Sequence, residues 1–204
     1  MATKTYGLTT EARVKTRVDI TANTYDAVIK SIIYAVTDFI EKSTNRRFQR
    51  TTYSNEIYDG CLFDGSRKGY LVLKNSPVIS ISSFQYRTGA KSNPSWVDFN
   101  SDNYQEINSN GIIQTDLPYG LQNIRISYVA GYLIDFSNMY DDTLHTLPFD
   151  ISDLTERIVT RIFKKRISEG RSAEGFQQSQ ITWDNLLDDL DKEILANYRR
   201  VFIP

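Results

Sequence analysis

The sequence is poor in the residues that carry most chemistry. It has one cysteine, Cys61, and one histidine, His145, in 204 residues. A single thiol excludes an intrachain disulfide framework and a cysteine-based zinc cluster, and it fits synthesis in a reducing cytosol. A Ser–His or Cys–His relay would have to use His145, which stands in a loop far in sequence from Cys61. Basic excess is also lacking: 24 Lys and Arg stand against 25 Asp and Glu, for a net charge of −1. A protein gripping nucleic acid through phosphates usually carries the opposite balance. No apolar run approaches the roughly 20 residues of a membrane span, and the opening MATKTYGLTTEARVK has no apolar stretch of the kind a secretory leader needs. No glycine-rich phosphate loop opens a helix after a strand, and DGCLFDGSRKGY lacks the alternating oxygen ligands of a calcium loop. No catalytic, metal or cofactor site is expected.

What is present is an ordinary globular composition, 40% hydrophobic and 24% charged, with 13 tyrosines, a residue suited to β-rich cores and to protein interfaces alike. The pattern falls into three parts. Residues 8–18 read as a short helix capped by Thr9 or Thr10, with Val14 and Val18 on one face. Residues 24–43 place Tyr25, Val28, Ile29, Ile32, Ile33, Val36, Phe39 and Ile40 on one stripe, with Asn23 or Thr24 as the cap. From Thr51 to Tyr132 the period changes to two. Strands are expected over 51–59, 70–74, 78–87, 96–99, 103–107, 112–115 and 123–131, punctuated by Asp59-Gly60, Asp64-Gly65, Asn75-Ser76-Pro77, Thr88-Gly89 and Asn110-Gly111. A loop over 133–149 then leads into a helix from Asp150, striped by Ile151, Leu154, Ile158, Ile162 and Phe163 and stopped at Gly170. Residues 170–182 read as a polar arm able to reach a neighbouring subunit, with Arg171, Phe176, Gln177 and Gln178 as its contacts. A last helix starts near Asp184, with Leu186, Leu187, Leu190, Ile194, Leu195 and Tyr198 on its stripe. Asp141-Asp142 and Asp188-Asp189 read as solvated or helix-end charges, and the basic pairs and triplets as complements to helix C-termini.

The reading is therefore α+β: a helical bundle (1–50 and 133–204) interrupted by an antiparallel β-sandwich or barrel-like insertion (51–132). The chain ends Tyr198-Arg199-Arg200-Val201-Phe202-Ile203-Pro204. An apolar end must pack on its own core or dock elsewhere, and one buried large side chain is worth roughly 1.5–3 kcal/mol. Those seven residues are the candidate docking peg, with Phe202 as anchor and the arginines facing acidic groups.

These stretches together resemble the head–tail connector, or adaptor, proteins of tailed bacteriophages with long non-contractile tails. LTTEARVK followed by YDAVIKSIIYAVTDFIEKSTNRRF is similar to the family's N-terminal helix pair, closing here on Thr44-Asn45-Arg46-Arg47-Phe48. YDG (58–60), LVLKNSPVISISSF (71–84) and ISYVAGY (126–132) are similar to the β portion of its longer members. LPFDISDLTERIVTRIFKKRISEGRSAEGF is similar to its next helix and polar loop. The resemblance implies a non-enzymatic, cyclic ring of about twelve subunits in the virion neck, made in the host cytoplasm and without membrane contact. The implied partners are the portal protein, met by the C-terminal segment, a stopper or tail-completion protein, and genomic DNA passing through the lumen without sequence recognition. Two alternatives remain: a stopper-like neck protein, expected to be mostly β, and a carbohydrate-binding module using Trp96, Tyr104 and Tyr119.

Overall fold

Thr10 opens the first helix as expected, its hydroxyl accepting the Arg13 N–H. A computed structural model describes residues 6–60, 68–90, 92–107, 111–141, 143–171 and 187–200. The readings made for Cys61, the Asp64-Gly65 turn, Asn110, Asp142, Phe176, Gln177, Gln178, Leu186 and Val201 to Pro204 lie outside those residues. Helix α1 (Glu11–Val18) ends on Asp19, which takes a left-handed φ of 56° and returns its N–H to the helix. Helix α2 (Asp26–Thr44) has no side-chain cap, contrary to expectation. The Asn23 side-chain oxygen that would have capped it instead accepts from Lys15 Nζ at 2.8 Å, and the chain enters through a 3-10 turn over Asn23–Tyr25. At the far end Asn45 closes α2 with a φ of 51°, a conformation asparagine tolerates better than most residues.

The chain divides into two units, Met1–Arg46 with Leu133–Pro204, and Arg47–Tyr132. In the first, α3 (Phe149–Arg171) packs on α1 and α2. Helix α4 (Asp189–Tyr198) packs on α2 and α3. Ile29, Ile33, Val36 and Ile40 of α2 are buried, as are Ile151, Leu154, Ile158 and Phe163 of α3. This is the packing of amphipathic stripes that three- and four-residue spacing encodes. Two expected boundaries are corrected. Helix α3 continues through Gly170 to Arg171, since an interior glycine only weakens a helix, by about 1 kcal/mol relative to alanine. Helix α4 begins at Asp189, because Asp188 and Asp191 form a reciprocal capping box that fixes the start there.

In the second unit, seven strands among the described residues form two antiparallel sheets, one ordered β1-β7-β3-β4 and the other β2-β6-β5. The strands are β1 (Thr51–Tyr58), β2 (Lys68–Val72), β3 (Val78–Arg87), β4 (Trp96–Asp98), β5 (Tyr104–Ile107), β6 (Ile112–Asp116) and β7 (Ile124–Ala130). Leu71 and Ile113 of one sheet share a core with Phe84, Ile124, Ile126 and Tyr128 of the other. That is a sandwich; among the described residues the sheets do not close into the barrel offered as its alternative. A bulge between Tyr53 and Glu56, with Asn55 at φ 55°, shifts the register of β1. It turns Glu56 toward Tyr58 and Tyr128, whose hydroxyls donate to one carboxylate oxygen at 2.6 and 2.9 Å. Burial pushes the Tyr128 phenol up to about 12, and burial together with the Glu56 carboxylate raises Tyr58 further still.

The unit's chain entry and exit run side by side. The Arg50 N–H donates to the Tyr132 carbonyl at 2.8 Å, and the Tyr132 N–H donates to the Phe48 carbonyl at 2.7 Å. Gly131, at φ 103°, permits this: a Cβ there would stand 2.8 Å from the Gln49 carbonyl oxygen. Because the ends are adjacent, a short Gly/Ser bridge replacing residues 52–131 is expected to leave a soluble chain. That chain should keep helical circular dichroism and a cooperative melt. Aggregation or loss of the helical signal would show that the β unit supplies part of the helical core.

Candidate interaction surfaces

His145 tests the enzymatic reading. It is buried in the 133–149 loop, with its Nδ1 accepting the Asp135 N–H at 3.1 Å, so the ring proton sits on Nε2. Nε2 has no hydrogen-bond partner, and the ring lies 5.0 Å from that of Phe136. Burial pulls the imidazole below its ordinary value, and Arg13 adds to this. No serine or cysteine nucleophile is hydrogen-bonded to it among the described residues. The ring braces a loop. Among the described residues no group of three or more His, Cys, Asp or Glu could hold a metal ion, and no helix is long and apolar enough to cross a membrane.

The rest of that loop is tied down with similar care. Asp135 accepts from the Ser137 N–H at 3.0 Å and from the Asn138 amide at 3.0 Å. The Ser137 hydroxyl and then that amide hold its carboxyl below the usual range. Asp141 accepts the Thr143 N–H at 2.9 Å, while its own carbonyl accepts the His145 N–H at 2.8 Å. Leu133 and Thr146 bond each other across the loop base, at 2.9 and 3.0 Å. On this braced scaffold stand Tyr140, 89% exposed, Leu144, and Phe149, 52% exposed, with the Tyr140 and Phe149 rings 6.3 Å apart.

Helix α3 carries charges that the sequence reading did not single out. Glu156 is buried, pairs with Arg13 and Arg17 of α1, and accepts from the Thr9 hydroxyl at 3.2 Å. One residue on, Arg157 and Arg161 turn to α4. There Asp191, with a side chain 0% exposed, meets Arg157 at 3.3 Å and pairs with Arg161, which also reaches Asp188. The Asp191 N–H at Asp188, with Arg161 beside it, holds the Asp188 carboxyl below its ordinary value. Asp188-Asp189, expected to be solvated or helix-end charges, divides between the two: Asp188 is the helix cap and an ion-pair partner, while Asp189 points to solvent. The available signal was the D-x-x-D spacing of a capping box opposite two arginines four residues apart on one helix face.

Of the expected peg, Tyr198 and Arg200 are engaged within the helical unit. Tyr198 donates to Asp150 at 2.9 Å, and the Arg200 N–H donates to the Thr44 carbonyl at 2.9 Å. Arg171 is the last residue of α3. The aromatic trio of the carbohydrate reading is not gathered as a platform. Tyr104 packs edge-on against Phe84 at 5.3 Å in the sandwich core, whereas Trp96 lies under the Arg125 guanidinium at 4.5 Å and Tyr119 is exposed on the β6–β7 turn.

A family model described as head completion protein matches residues 7–201. Among solved structures, the chain is similar to one in the neck of an empty gene transfer agent (GTA) particle computed with C6 symmetry. That match has a TM-score of 0.53 and 13% identity, and covers 100% of this chain and 95% of that one. A chain from the neck of a native GTA particle computed with C12 symmetry matches at a TM-score of 0.48 and 12% identity, over 95% of this chain and 89% of that one. At such identities the likeness concerns the fold. No curated protein matches the chain.

Two outcomes follow from the geometry. Arg161→Ala leaves a fully buried carboxylate short of one partner and is expected to destabilise the helical unit by about 3 kcal/mol. Arg161→Lys should recover only part, since an ammonium lacks the fork that spans two carboxylates. Denaturant midpoints of the three proteins decide this. For His145, the unfolded chain takes up a proton near 6.5 while the folded loop resists it until lower pH. Stability should therefore fall as the pH drops from 7 through 6.5 toward the folded-state value. His145→Gln should flatten that segment of the stability–pH curve; an unchanged slope would remove the histidine from the account.

Proposed function

The chain belongs to the head completion protein family, and we propose that it is the adaptor of a tailed-phage-like neck. In this reading it is a structural ring of about twelve copies that seats on the portal, extends the DNA channel and receives the stopper or tail. The observation that carries the reading is the family match over residues 7–201, which spans both units rather than one. The fold likeness to a chain in a neck computed with C6 symmetry supports a cyclic arrangement, with which a dodecamer is compatible. The helical unit favours an adaptor over a stopper, for which a mostly β chain is expected. A charge of −1 suits a conduit, since a strongly basic lumen would hold passing DNA through its phosphates.

In this role the C-terminal end is the portal contact. Tyr198, Arg199 and Arg200 carry the chain to the edge of the helical unit, and Val201, Phe202, Ile203 and Pro204 form the docking end, with Phe202 as anchor. Arg171, Phe176, Gln177 and Gln178 belong to the segment that meets a neighbouring subunit. A single buried aromatic is worth about 2 kcal/mol, and repetition around the ring converts that into firm attachment.

The experiment is deletion of residues 201–204. The shortened protein should melt at the unchanged temperature, and particles made with it should accumulate as DNA-filled or leaking heads without tails in negative-stain images. A lowered melting temperature would assign the segment to the subunit's own core, and normal tailed particles would remove it from the portal contact. Purified necks that lack a ring of this protein would overturn the adaptor reading itself.

A further inference from the structure

Helix α4 is joined to α3 by far more chain than its docked position requires. Helix α3 ends at Arg171 and α4 begins at Asp189, so residues 172–188 connect them. Arg161, which receives Asp188 and Asp191, lies about 15 Å back from Arg171 along α3, at about 1.5 Å per residue. Packed helix axes stand about 8–10 Å apart. A chain of that many residues spans up to about 55 Å, roughly three times the separation to be bridged. Helix α4 is also self-contained. The Asp188–Asp191 capping box that fixes its start lies within its own sequence. The residues it buries are Asp191 and Leu195. Its polar ties run to α2 and α3: Asp191 to Arg157 and Arg161, the Tyr198 hydroxyl to Asp150, and the Arg200 N–H to the Thr44 carbonyl.

We propose that α4 is exchanged between copies of this chain in the assembled ring: α4 of one copy makes, on Arg157 and Arg161 of the next, the clasp that it makes on its own α3 in the single chain. Three features carry the assignment. The occupant fits by construction, because the fully enclosed Asp191 carboxylate already meets both guanidinium groups within one chain. Asp153, which reaches Arg157 at 3.1 Å, belongs to α3 itself and does not substitute for the arriving helix. The connection is long enough to deliver α4 to a neighbouring body. Exchange needs no second complementary surface, and it runs in one direction, each copy giving α4 to the next. Contacts of that kind close into a ring when the rotation permits. The inference rests on the adaptor reading and gives a destination to the segment that meets the neighbouring subunit.

The test uses full-length protein at high concentration and assembled necks, with the photo-crosslinker p-benzoylphenylalanine in place of the half-buried Ile194. After irradiation, denaturing electrophoresis should show two-chain and longer products, and mass spectrometry should place the crosslink in α2 or α3 of a second copy. Products of one-chain mass, crosslinked to the same two helices, overturn the exchange and leave the adaptor reading standing. A complementation experiment reads the clasp itself. Arg161→Asp and Asp191→Arg should each weaken self-association at least about tenfold, since each leaves like charges facing one another. Their equimolar mixture should recover rings, because the exchanged contacts then alternate between the parental pair and the reversed pair. A clasp confined to one chain gains nothing from mixing, so two variants that remain unassembled together, or that each assemble alone like the parent, overturn the proposal. A protein that forms no ring in solution or in necks overturns both readings.

Discussion

Helix α3 holds the helical unit together through charge as well as apolar packing, and the order of its charges decides where its neighbours lie. Glu156 faces the arginines of α1; Arg157 and Arg161 face the aspartates of α4. The two clasps have opposite polarity on consecutive residues, so α1 and α4 are not interchangeable on the surface of α3. A purely apolar α3 would bind either helix through its Leu and Ile stripe with little preference. Buried ion pairs add modest net stability because desolvation offsets much of the attraction, but a mismatched pairing would strand a buried charge at a cost of several kcal/mol. Their effect here is on specificity: the Asp191 side chain is fully enclosed, and the cations that face it are Arg157 and Arg161 of α3.

The β unit is governed by one irregularity of comparable weight. Strict alternation from Tyr53 would put Asn55 and Ile57 on the same face as that tyrosine. The bulge at Asn55 changes the phase, so that Glu56 and Tyr58 turn inward and Ile57 faces out. The result is a carboxylate that receives both the Tyr58 and the Tyr128 hydroxyl. Two large aromatic residues can then be buried with their polar ends satisfied, as aromatic hydroxyls generally require. The same unit closes on itself where Arg50 and Tyr132 pair, leaving chain entry and exit adjacent. An insertion with that geometry adds a body to a neck subunit without disturbing the helices that precede and follow it in sequence.

A structural protein of a virion neck needs a stable body and presented surfaces. The body is the pair of cores. Presentation comes from the loop over 133–149, braced by Asp135, Asp141 and His145. The lone histidine illustrates the difference between a reactive group and a structural one. Its Nδ1 is occupied by a backbone N–H, its ring lies beside Phe136, and burial pulls its pKa below the ordinary value.

The strands were legible from alternation and turn residues because a two-layer sandwich imposes a period of two; β7 (Ile124–Ala130), buried at every second residue, is the clearest case. The helices were legible because α2 and α3 each bury one stripe, and the family resemblance was carried by the order of these pieces. Local sequence misplaced what non-local partners decide. The cap of α2 failed because Lys15 takes the Asn23 side-chain oxygen, and the capping box that starts α4 is met by Arg161 from another helix. Tyr104 left the proposed aromatic platform because Phe84 lies across the core from it. Periodicity records which face of an element is buried, and so the sequence by itself determined the elements, their order and the two-part organisation. It carries no record of which residue of another element arrives at a given charge. The clasps on α3, the inward turn of Glu56 and the display of Tyr140 and Phe149 were therefore decided only when the chain folded.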